Sequence, residues 1–150
     1  MEFTEQTRGI LEHSTEFELY SLNGEPEEGT SAIPQDRFAL WPTYGKVAIT
    51  DQNQKTALIN ALYASVDAYY GHAAMCFMPH HGIHASDGKH QVDLVICFSC
   101  RQIEGKVDGV EISVLNDGTP MALYNQVLQA GGIPLDPEMK REEDSRRKDR

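Results

Sequence analysis

Three cysteines and six histidines occur in this 150-residue chain, and all the cysteines and five of the histidines fall between residues 72 and 100. The cluster reads Cys76-Phe77-Met78-Pro79-His80-His81-Gly82-Ile83-His84, then Asp93-Leu94-Val95-Ile96-Cys97-Phe98-Ser99-Cys100. Thiolates and imidazoles are the ligands zinc prefers, and four of them complete its tetrahedral shell. Cys97 and Cys100 form a C-x-x-C pair, while Cys76 and His81 supply a second soft pair. Cys76, His81, Cys97 and Cys100 are therefore a candidate structural zinc site. The same residues admit other chemistry. Cys97, His81 and Asp93 have the make-up of an activated thiol nucleophile, and Cys97 or Cys100 alone could serve as a redox thiol. A plainer account competes with all of these, because free cysteines pack well as small hydrophobes. Asp93, flanked by Val92 and Leu94, calls for a histidine or arginine partner across a hairpin more than for a catalytic role. His80 and His84 are four apart, but Pro79 and Gly82 argue against the helix that would make them a metalloprotease-like pair. No G-x-S-x-G, P-loop or G-x-G-x-x-G is present.

Strand geometry decides which of these residues can meet. The apolar runs 72–79 and 91–102 flank Ser86-Asp87-Gly88-Lys89, and Asp-Gly between such runs signals a two-residue hairpin turn. With that turn, His81 faces Leu94 and Ile83 faces Val92 on one apolar face. Cys76, Met78, His80, Val95 and Cys97 then lie on the other, since side chains alternate along a strand. Val95 to Cys100 reads as continuous strand, in which Cys97 and Cys100 point to opposite faces. Cys76 and Cys97 are then diagonal neighbours, able to form a disulfide in an oxidising compartment or, with His80, a second candidate metal set. A bulge at Pro79 or Gly82 would move His81 to the other face.

The cluster resembles the hallmark of an uncharacterised family of small bacterial proteins, close to C-F-x-P-R-H-G-I-R, a short glycine-containing turn, then D-L-V-I-C-F-E-C-x-Q. Cys76, Phe77, Pro79, His81, Gly82 and Ile83 match it, as do Asp93 to Phe98, Cys100 and Gln102. His80, His84 and Ser99 stand where that family has two arginines and a glutamate. The resemblance covers most of residues 16–133. It brings no activity with it, but implies that residues 76–102 act as one unit and favours Cys76, His81, Cys97 and Cys100 over the other histidines.

The elements that must position this unit are legible in outline. Glu16 to Leu22 alternates polar and apolar as a half-buried strand does. Residues 23–34 form an acidic loop, followed by an aromatic group of Phe38, Leu40, Trp41 and Tyr44 and a short strand at 46–50. Asp51 can cap a helix with Gln54 in capping-box position, and apolar residues at helical spacing carry it over 52–70 to a stop at Gly71. Val110 to Leu115 is a strand. Thr119 and Pro120 open a second helix, with a stripe of Met121, Tyr124, Val127 and Leu128, and Gly131 closes it. The expectation is an α+β domain at 15–134: an antiparallel sheet with a central hairpin, packed against one long and one shorter amphipathic helix. Residues 1–14 read as a lead and 135–150 as a charged, disordered tail or frayed helix.

Acidic residues number 23 and basic residues 13, a net charge of −10. The tail from Asp136 is balanced, so the body carries the whole excess and repels phosphate backbones; nucleic-acid binding is not expected. A basic protein partner would be attracted. No apolar stretch approaches the ~18 residues a membrane span needs. The N-terminus has neither basic head nor apolar run, which points to the cytoplasm. Three functions are consistent with this: a structural zinc-binding protein first, then an acidic interaction module of the immunity or adaptor type, then a thiol redox protein. Only the last, a redox or thiol enzyme using Cys97 or Cys100, would involve catalysis, and the balance leans against an enzyme.

Overall fold

The computed structural model describes residues 2–25, 36–71, 73 and 76–148, with backbone alone at 147–148. In chain order its elements are α1 (Glu5–Glu12), β1 (Glu16–Leu22), β2 (Arg37–Phe38), β3 (Trp41–Ala48), α2 (Gln52–Asp67), β4 (His81–Ser86), β5 (Gln91–Cys97), β6 (Gln102–Val107), β7 (Val110–Leu115), α3 (Met121–Ala130) and α4 (Pro137–Lys148). The strands form one antiparallel sheet in the order β2-β3-β1-β4-β5-β6-β7, so the architecture is α+β. No helix is long and apolar enough to cross a membrane among the described residues.

Alternation divides the sheet into two faces. Phe17, Leu19, Ile83, Ala85, Val92, Leu94, Ile96 and Ile103 share one core with Leu58, Ile59, Leu62 and Val66 of α2 and Tyr124 and Leu128 of α3. The Tyr124 hydroxyl donates to the Leu58 carbonyl at 2.9 Å, tying α3 to α2. Asp51 caps α2 as its spacing predicts, accepting from the Gln54 amide at 3.2 Å. That helix ends at Asp67 rather than 70, and Tyr70 is exposed. α3 begins one residue later than expected: Pro120 takes the cap position, and Thr119 instead bonds the Asp117 carboxylate.

The β4–β5 turn is longer than the sequence suggests. Asp87 accepts from the amides of Lys89 and His90 at 2.9 and 2.7 Å, and its own amide donates to the His90 carbonyl. The link is therefore Asp87–His90, and Ile83 pairs with Leu94 and His81 with Ile96. This register differs from the expected one by two residues, which leaves the side chains of β4 and β5 on their predicted faces. The strand expected over 72–79 does not form among its described residues, since β4 begins at His81, and Phe77 packs with Val95 rather than on the face of Ile96. Gly82 sits within the regular ladder, not at a bulge. Its lack of a side chain admits the Phe38 ring, which a Cβ there would meet at 2.8 Å.

The segments read as a lead and a tail contain helices. Phe3, Ile10 and Leu11 join the core, and Met139 and Glu143 of α4 are buried. The acidic loop falls largely on residues 26–35, outside the described residues.

Candidate functional site

Cys97 ends β5, and Phe98–Arg101 turn the chain toward β6. Arg101 takes a left-handed conformation, φ 62°. The turn corrects the expected continuous strand: it brings Cys97 and Cys100 together as a disulfide, with Cα atoms 5.3 Å apart. Both are buried, and the Cys100 amide donates to Cys97 Sγ at 3.1 Å. Cys76 is an exposed free thiol, so the disulfide takes Cys100 and not the expected Cys76 as the partner of Cys97.

His81 faces the helices. It is 1% exposed, lies against the rings of Phe98 and Tyr124, and places Nε2 2.7 Å from Asn125 Oδ1. Burial lowers its pKa to about 4, outweighing the Asn125 bond that favours the charged form. Nε2–H then donates to Asn125, whose amide passes on a bond to Glu143 Oε1 at 3.1 Å. Among the described residues, no group of three potential ligands lying within 4.8 Å of one another includes a cysteine. The structure thus gathers neither Cys76, His81, Cys97 and Cys100 nor Cys76, His80 and Cys97. The nucleophile set is also apart: Asp93 faces away from His81 and bonds His84 Nδ1 at 2.6 Å, the cross-hairpin partner its position calls for.

The face opposite the helices holds a different feature. Tyr20 stacks on Phe38 at 4.2 Å, and Trp41 meets Phe77 edge-on at 6.1 Å, forming with Leu22 and Val95 a second, smaller apolar cluster. The β2–β3 connection, with Ala39 and Leu40 both at positive φ, reaches over this face. Between it and strands β5, β6 and β7 lies a groove of about 830 Å³, lined by Leu40, Trp41, Phe77 and Val95 and by Asp93, Glu104, Lys106 and Glu111. Cross-strand pairing sets Asp93, Lys106 and Glu111 in one row and Val95 beside Glu104 in the next. Among the described residues, three carboxylates and one ammonium therefore line the groove. Among the described residues, Glu104 and Glu111 have no ion pair within 4 Å. Leu40 is 87% exposed at the rim. Sequence reading found the aromatic group and the acidic excess, but only the sheet register shows that they share a cleft.

Among the described residues, two His–carboxylate groups also form. In one, Glu16 and Glu18 approach His84, but Asp93 holds the His84 ring and Lys46 holds Glu18 at 2.8 Å. In the other, buried His80 faces Asp136 and Glu138. Asp136 begins α4, accepting from the Glu138 amide at 2.9 Å. Asp-Pro-Glu is a helix-start signature that could have revealed this second group's helix from the sequence. Comparison of the chain with family models, curated proteins and solved structures finds no match.

Proposed function

We propose that the protein is an acidic interaction module whose groove receives a basic segment of a partner protein. The supporting observation is the pairing of an apolar wall of Trp41, Phe77 and Leu40 with the carboxylates Asp93, Glu104 and Glu111. An arginine or lysine suits both surfaces, since its charge meets the carboxylates and its stem or plane lies on an indole. The net charge of −10 would steer such a partner toward the molecule.

Trp41 is the only tryptophan, so its fluorescence reports on the groove. A short peptide alternating arginine and leucine is expected to change that emission saturably, with affinity that falls as salt rises. Glu104→Lys with Glu111→Lys should abolish the response. Equal responses to a glutamate–leucine peptide, or none to either, would sink the reading.

A second reading, a thiol–disulfide protein, draws on the Cys97–Cys100 disulfide and on the amide that would stabilise a Cys97 thiolate. Its reduction potential is the test. A value below about −300 mV marks a structural bond, and a higher one a working redox couple. The structural zinc site of Cys76, His81, Cys97 and Cys100 remains a proposal that would require the disulfide to open and the chain around His81 to rearrange.

A further inference from the structure

His80 precedes β4 and is only 4% exposed. Its Nδ1 is buried with no hydrogen-bond partner among the described residues. Asp136 Oδ1 is the nearby carboxylate atom, at 3.7 Å, which is too long for a hydrogen bond. Across the ring, Glu138 Oε2 lies 3.4 Å from Nε2. A buried polar atom left unpaired costs free energy that a bound ion would remove. Charge points the same way. A neutral ring leaves two carboxylates side by side, and even a protonated ring leaves the group net negative. Among the described residues, no lysine or arginine lies within 4 Å of either carboxylate. One ligand atom from each of the three residues can be chosen so that all lie within 4.8 Å of one another. That is the spread of donors around one small cation.

We propose that His80, Asp136 and Glu138 bind a divalent transition-metal ion of the zinc or manganese class. One imidazole with two carboxylates suits borderline ions and disfavours soft, thiolate-seeking ones. Asp136 is already oriented, because its Oδ2 accepts from the Tyr44 hydroxyl at 3.1 Å and its Oδ1 from the Glu138 amide. Such supporting bonds fix a ligand's direction and raise affinity. Three protein ligands leave a position for water. The ion would clip the start of α4 to the segment entering β4, joining two distant parts of the chain. This site is independent of the groove, which lies on other residues.

The test uses the full chain with the Cys97–Cys100 disulfide intact, Cys76→Ser in place and metals removed by chelation. Zinc and manganese chlorides are titrated separately by calorimetry and thermal melting. One site per chain is expected, with Tm rising by about 5–10 °C at a hundredfold excess over Kd. Glu138→Gln, at a partly exposed position, should weaken binding at least tenfold while leaving the metal-free Tm within a degree or two. Tyr44→Phe should weaken it by about 10–100-fold through loss of orientation. Cobalt serves as a spectroscopic probe, and its spectrum should lack thiolate charge-transfer absorption. No heat and no Tm shift, or binding indifferent to Glu138→Gln and Asp136→Asn, or a thiolate–cobalt band, would each overturn the proposal. Unchanged metal binding in Glu104→Lys/Glu111→Lys separates this result from the fate of the groove.

Discussion

His81 is buried as a neutral ring, and its surroundings make that state a pH-dependent contribution to stability. With its pKa lowered to about 4 in the fold, against about 6.5 in an unfolded chain, the unfolded state binds the extra proton between those values. Stability from this group is fully present above pH 6.5 and is lost as pH falls toward 4, by about 3 kcal/mol. Denaturant unfolding at pH 7 and pH 4.5 checks it. His81→Gln retains a donor for Asn125 but has nothing to titrate, so its stability should fall less than the parent's over that interval. An equal fall in both proteins would show that other groups carry the acid sensitivity. Gly82, the next residue, makes a separate steric prediction. Gly82→Ala puts a Cβ 2.8 Å from the Phe38 ring, on a strand bonded on both sides. Phe38 must move, at about 1–3 kcal/mol. Melting curves measure the cost, and Trp41 emission shows whether the hairpin over the groove shifts with it.

The two terminal helices differ in what they add to the core, and α4 is the more informative. It buries Met139, supplies the Glu143 acceptor for Asn125, and through Asp136 bonds Tyr44. A chain ending at Leu135 should lose about 3–5 kcal/mol, from apolar burial and from a buried amide left unpaired. A denaturation midpoint matching the full chain would place α4 outside the cooperative unit. Sequence pattern reveals elements in proportion to how much of their periodicity is apolar. α2 is legible because Leu58, Ile59, Leu62 and Val66 repeat at helical spacing behind the Asp51 cap. α1 buries few side chains, and α4 is overwhelmingly charged, so neither stands out. The Cys97 turn is hidden because strand-forming residues run through Phe98 and the left-handed position is an arginine, with no glycine to announce it. The β4–β5 register was open to error because Asp87 folds two further amides into its turn. The candidate sites suffer most. His80 meets Asp136 and Glu138 from the far end of the chain, and the groove joins β2–β3 to β5–β7, associations that no local spacing encodes.

At the scale of the whole molecule, apolar and acidic residues are sorted between the two faces of one sheet. The helices cover one face completely enough that Leu19, Ile83, Leu94 and Ile96 are shut off from solvent. The other face keeps aromatic rings beside carboxylates, and among the described residues no helix lines the groove over its β5–β7 part. Stability alone does not favour that arrangement. Lys106 stands between Asp93 and Glu111 in one row, but Glu104 faces Ser113 and, among the described residues, Lys106 is the one lysine or arginine of the groove, so the surplus negative charge adds to that of a molecule already at −10 and works against the fold. Residues kept at a cost to stability are those expected to serve binding. Glu104→Gln with Glu111→Gln should therefore leave Tm unchanged or raise it slightly, while removing most of the salt-sensitive fluorescence response to the arginine–leucine peptide. The two measurements must separate for the interaction reading to hold. If Tm drops with the peptide response, the carboxylates support the sheet and the lost binding is a consequence of a weakened fold. If Tm holds and the response survives, the peptide binds elsewhere and the groove is not its site.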